Sequence, residues 1–156
     1  ETINNSWGFH LKDNHHKSKK VLVQYLVKAA GYGANFLLNV GPMPNGAIQP
    51  EHIASLREVG EWLKVYGETI YGTRGGPLAA RDWGVTTQKG NKVYIHLLNW
   101  YDESITIPSW GKKIKSAKMY NDKTPIKFLE NEYGITLKIP KTRMDEVNTV
   151  VELELK

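Results

Sequence analysis

Three observations predict an α/β segment followed by an all-β one. Up to about residue 76 apolar residues recur at helical spacing, broken by one short continuous apolar run. After residue 77 the period falls to two, and turn residues return every few positions. Between the two regimes stands Gly72-Thr73-Arg74-Gly75-Gly76-Pro77, a breaker-rich stretch of the kind that marks a boundary. The expected division is therefore 1–76 and 77–156, the second part an antiparallel β-sandwich.

Residues 1–17 read as loop. Ser18 can cap a helix running to about Ala30, with Val21, Leu22, Tyr25, Leu26 and Ala29 on one face. Gly31 and Gly33 stop it. Asn35 to Val40 reads as a fully buried strand, because Phe36, Leu37, Leu38 and Val40 form a near-continuous apolar run. Gly41-Pro42 ends that run, and Pro44-Asn45-Gly46 is turn chemistry. Pro50 suits the first turn of a second helix, whose stripe is Ile53, Leu56, Val59, Leu63 and Tyr66. Gly67 ends it. Helix, buried strand, loop, helix is the repeat of a parallel α/β sheet, in which ligands gather past the strand's carboxyl end.

In the second part the strand candidates are Lys92 to Leu98, Ser104 to Ile107, Ile114 to Tyr120, Ile126 to Leu129, Gly134 to Ile139 and Val147 to Leu155. Lys89-Gly90-Asn91, Tyr101-Asp102-Glu103, Asn121-Asp122-Lys123 and Glu132-Tyr133-Gly134 supply the turns.

A chain of 156 residues with 40% hydrophobic and 24% charged residues is globular in composition. Its apolar runs are too short to cross a bilayer. Residues 1–20 hold no apolar core of a signal peptide, and an upstream segment is expected before Glu1. The absence of cysteine excludes disulfides, thiolate metal sites and a cysteine nucleophile. The net charge of +5 is concentrated in residues 10–20 and at Lys112, Lys113 and Lys115. No recognition motif accompanies it, so no nucleic-acid partner is expected. One strand and two helices cannot complete a parallel sheet, which needs neighbours on both sides. Residues 1–76 therefore read as the closing units of a larger α/β domain.

Five motifs then carry a resemblance. They are Ser6-Trp7-Gly8-Phe9, Gly33-Ala34-Asn35-Phe36-Leu37-Leu38-Asn39-Val40-Gly41-Pro42, Asn45-Gly46-Ala47-Ile48, Gly60-Glu61-Trp62-Leu63 and Gly67-Glu68-Thr69-Ile70-Tyr71-Gly72-Thr73. In this order and spacing the chain resembles the C-terminal portion of α-L-fucosidases of glycoside hydrolase family 29. The likeness covers about residues 3–75; the β-rich remainder is a weak match on its own. It implies the last units of a (β/α)8-type barrel followed by a C-terminal β-sandwich. A complete barrel takes roughly 250 residues. It also implies a retaining exo-α-L-fucosidase acting by double displacement on terminal fucose of glycans. In the family the nucleophile Asp and the acid/base Glu precede the Trp-Gly-Phe motif, and neither position occurs in this chain. The implied partners are a fucosylated glycan and the upstream barrel segment. No cofactor is needed for this chemistry. The substrate points to a periplasmic, secreted or lysosomal setting.

Trp7 is the candidate substrate-binding residue, since the family places an aromatic here against the apolar side of fucose. Glu1 lies near it but does not match the acid/base position. Asn39, at the strand end, could reach the sugar or satisfy loop backbone groups. Adjacent His15 and His16 would point to opposite sides of an extended loop and so make poor joint metal ligands. Glu68 is expected to bind backbone groups where helix meets linker. Trp83, Trp100 and Trp110 are expected to pack; a row of them exposed would instead suggest a non-catalytic carbohydrate-binding sandwich.

Overall fold

The computed structural model describes residues 1–156 as two helices, two antiparallel sheets and their connections. The helices are α1 (Lys19–Gly31) and α2 (Pro50–Tyr66). Eight strands follow: β1 (Arg74–Gly75), β2 (Gly84–Lys89), β3 (Lys92–Leu97), β4 (Ser104–Ile107), β5 (Ile114–Met119), β6 (Phe128–Asn131), β7 (Gly134–Lys138) and β8 (Thr149–Leu155). One sheet has five strands in the order β1-β2-β3-β8-β5, the other three in the order β4-β7-β6. Every strand pair is antiparallel.

Alternation along β3 and β8 explains the layering. Val93, Ile95, Leu97, Val151 and Leu153 face the smaller sheet and meet Ile105, Ile107, Ile135 and Leu137 there. Tyr94, Leu98 and Val150 belong to a second core with Leu22, Val23 and Val27 of α1 and Val59, Trp62 and Tyr66 of α2. The five-stranded sheet is thus covered on both sides, by the smaller sheet and by the helices. Gln24 of α1 donates to the Leu98 and Val147 carbonyls at 3.1 Å each, pinning the helix to the sheet's end.

The helix limits agree with the sequence reading. Ser18 accepts from Val21 N–H at 3.4 Å, and Pro50 opens α2. The buried faces agree only in part, at Leu22, Val59 and Tyr66. In α1 the buried residues are Leu22, Val23 and Val27, while Val21 and Tyr25 lie outward. In α2 they are His52, Ser55, Val59, Trp62 and Tyr66, with Ile53 and Leu56 outward. Two polar residues disguised that face, and His52 is tolerated because its Nδ1 meets the Val40 carbonyl at 2.5 Å.

The expected buried strand over 35–40 is corrected. The segment is extended but makes only a single parallel bridge, Thr2 to Asn39, and Leu37 is 71% exposed. The apolar run was read correctly as strand-like, but a strand needs ladder partners on its flanks and cover on its faces. Here one flank carries only residues 1 and 2: Glu1 N donates to Leu37 O and Asn39 N to Glu1 O, both at 2.9 Å.

Six of the strands match the sequence reading within one or two residues. Two were missed. β1 lies within the breaker-rich stretch and pairs with β2. β2 reads Gly-Val-Thr-Thr-Gln-Lys, too polar to stand out, yet its first four residues are buried. Their hydroxyls are accommodated: Thr87 donates to Thr69 O at 2.7 Å and Thr86 to Leu78 O at 3.3 Å. α1 ends tightly against this strand, since a Cβ on Gly31 would lie 2.5 Å from Val85 Cβ.

Candidate functional site

The loop before α1 is built from backbone contacts. Lys17 gathers its start: Nζ donates to Thr2 O at 2.9 Å and Asn4 O at 2.8 Å, and its N–H donates to Ile3 O at 2.7 Å. Asp13 gathers its middle. Its Oδ2 accepts from Asn5 N at 3.0 Å and Ser6 N at 2.9 Å, and its Oδ1 from Asn5 Nδ2 at 3.2 Å. Burial pushes the Asp13 carboxyl up, but hydrogen bonds at Ser6, His15 and Asn5 outweigh it, so the group stays below the usual carboxylate range.

Trp7 follows directly, and its side chain is 58% exposed. The 39–41 segment lies beneath it. Asn39 Nδ2 donates to the Trp7 carbonyl at 2.5 Å. Gly41, at φ +51°, passes so close that a Cβ would sit 2.9 Å from Trp7 O and 3.1 Å from the Gly8 carbonyl carbon. Only glycine fits there, on space and on backbone angle alike. Fully buried His52 holds Val40 from below. The arrangement leaves Trp7 more than half exposed on a loop fixed on two sides, and an indole offers a large apolar face. Such a face suits the C–H side of a sugar ring.

The other candidates fall into place around it. Glu1 is paired with Lys17 at 3.1 Å. The Thr2 N–H, then Lys17, holds its carboxyl below the ordinary value, the reverse of what a general acid needs. Asn39 lies beneath Trp7 and engages its backbone. His15 is exposed, whereas His16 is half-buried with its ring edge-on to His52 at 5.3 Å between centroids. Glu68 meets side chains rather than backbone: Tyr120 donates to it at 3.3 Å and Lys92 lies 3.6 Å away. That corrects the expected backbone role; strand β3 brings a lysine to the helix end, which local sequence could not reveal. Trp83, Trp100 and Trp110 are half-buried against the inter-sheet core. Asp13 was not singled out from the sequence, though an acid a few residues past a loop tip is a familiar way to bind loop N–H groups.

The exposed indole thus stands on a glycine-floored loop beside two packed antiparallel sheets. Residues 1–68 match the family described as alpha-L-fucosidase. The tissue α-L-fucosidase of Mus musculus is 32% identical over 152 residues, spanning 96% of this chain and 28% of that protein. The plasma α-L-fucosidase of Homo sapiens is 28% identical over 153 residues, spanning 91% and 33%. Among solved structures, α-L-fucosidase isoenzyme 1 from Paenibacillus thiaminolyticus superposes with a TM-score of 0.89 at 33% identity, covering 99% of this chain and 38% of that one. A Thermotoga maritima α-fucosidase in complex with fucose gives 0.84 at 28% identity, covering 98% and 38%.

The chain belongs to the α-L-fucosidases, glycoside hydrolase family 29, and corresponds to their C-terminal portion. It spans between 22% and 33% of the length of the curated relatives. No helix is long and apolar enough to cross a membrane.

Proposed function

We propose that this chain is the C-terminal part of a retaining exo-α-L-fucosidase, in which Trp7 contacts the apolar face of the terminal fucose. The exposed, backbone-anchored indole is the observation that carries this reading. Support comes from a Bacteroides thetaiotaomicron relative trapped as a covalent intermediate with a fluorinated fucosyl fluoride; it superposes with a TM-score of 0.88 at 26% identity over 99% of this chain and 37% of that one. A covalent intermediate is the signature of double displacement. The nucleophile and the acid/base belong to an upstream barrel segment, of which residues 1–76 form the last units and residues 77–156 the following sandwich. Val21, Tyr25, Leu37, Ile53 and Leu56 are each exposed within residues 1–76, apolar side chains available to that barrel. The substrate is a fucosylated glycan, and its usual setting is periplasmic, secreted or lysosomal. The reading of the sandwich as a non-catalytic carbohydrate-binding module draws less support, because its three tryptophans pack against the core.

The test is Trp7→Ala in the complete enzyme, assayed on an aryl α-L-fucoside. The expected result is a KM raised about tenfold, equivalent to ~1.4 kcal/mol of lost binding, with an unchanged melting temperature. Unaltered KM and kcat would remove Trp7 from the site.

A further inference from the structure

Trp7 has a mechanical problem that its surroundings solve. A side chain this exposed buries little surface of its own, so packing cannot hold the loop that carries it. The loop must be held through its backbone. Asp13 does this from one side. Its residue is only 9% exposed, no lysine or arginine pairs with it, and its oxygens are given to the N–H groups of Asn5 and Ser6 and the amide of Asn5. Those are the two residues immediately before Trp7. From the other side Asn39 grips the Trp7 carbonyl. A carboxylate without a cation is a strong acceptor for backbone N–H groups, because charge-assisted hydrogen bonds exceed neutral ones.

We infer that Asp13 is a positioning residue for fucose binding: it fixes the backbone before Trp7 and thereby sets where the indole stands. This rests on the reading of Trp7 as the sugar-contacting residue. Its oxygens reach the loop at Asn5, Ser6 and His15 and not the indole, so its effect on sugar binding passes through the placement of Trp7.

A double-mutant cycle in the complete enzyme tests this, using KM and kcat for an aryl α-L-fucoside. The variants are Trp7→Ala, Asp13→Ala and the two combined. Asp13→Ala is expected to raise KM several-fold with little change in kcat. In the Trp7→Ala background the same change is expected to do nothing more. Asp13→Asn keeps one oxygen for the two N–H groups and loses the Asn5 amide contact, so it should recover most of the affinity. If Asp13→Ala does not fold, the cycle is run with Asp13→Asn, whose smaller effect must also vanish without the indole. An effect that persists in full in the Trp7→Ala background, or no effect on KM, overturns the inference. If Trp7→Ala alone leaves KM untouched, the functional reading of Trp7 falls, and with it any role for Asp13 in placing it.

Discussion

Lowering the pH from 7 to 5 should destabilise this protein by about 2 kcal/mol through His96. His96 lies on β3, fully buried, on the face turned toward the helices. Thr87 spends its only proton on Thr69 O, so at 3.1 Å it accepts from His96 Nε2–H. Asn148 Nδ2, at 2.9 Å, donates to Nδ1. The neutral ring is thus satisfied at both nitrogens. Burial lowers its pKa from 6.5 to about 4, against the opposing pull of Asn148 and the Thr69 carbonyl. Because the folded value lies below the unfolded one, the unfolded state takes up the proton first. Stability is complete above about pH 6.5 and is lost as pH falls through 6.5 toward 4. The shift of roughly 2.5 units corresponds to ~3 kcal/mol in full. About 2 kcal/mol of that is gone between pH 7 and pH 5. Urea unfolding at pH 7, 6 and 5 measures it, with the His96→Gln variant as reference. The wild type should lose about 2 kcal/mol relative to that variant. Equal slopes for the two proteins, or an NMR titration of the His96 ring near 6.5, would refute the argument.

Further outcomes follow from the same packing. Gly84→Ala should cost ~3 kcal/mol or more, or prevent folding: its φ is +148° and a Cβ would meet the His96 carbonyl at 1.9 Å. Near-wild-type thermal stability of that variant would contradict the β2–β3 approach. Leu153→Ala removes a fully buried side chain from between the sheets and should cost about 2–5 kcal/mol by urea denaturation. Thr87→Val leaves Thr69 O and His96 Nε2 without partners and should cost about 1–3 kcal/mol by urea denaturation; the pH dependence should persist, since burial and not Thr87 depresses the His96 value.

What could be read from the sequence was set by how local the cause was. Helix limits were legible because Ser18, Pro50 and Gly67 act within a turn of their own positions. Most strands were legible because alternation such as Val93-Tyr94-Ile95-His96-Leu97 is itself the sheet's geometry. The helix faces were legible only in part, since His52 and Ser55 are buried by contacts made far along the chain. β2 stayed hidden because its threonines are satisfied by Thr69 and Leu78, which no periodicity reports. The 35–40 run shows the opposite failure: its apolarity is real, but a strand is a property of its neighbours. At the site, the Trp-Gly-Phe motif pointed to Trp7 and the strand-end amide of Asn39 to loop backbone groups, one of which is the Trp7 carbonyl, while Asp13 emerged only in three dimensions.

The position of β8 governs how this chain can be made. Residues 149–155 lie between β3 and β5, in the middle of the larger sheet. During synthesis β3 is made more than fifty residues before the strand that must pair with its open edge, and β5 has no neighbour in that sheet until the same strand arrives. Hairpin β2–β3 can form early, but the sheet cannot close until residues 149–155 have cleared the ribosome. Until then two apolar strand edges wait unpaired, the condition that invites wrong pairing between nascent chains. A chain ending at Asn148 would therefore lack a middle strand, which divides the sheet rather than trims it.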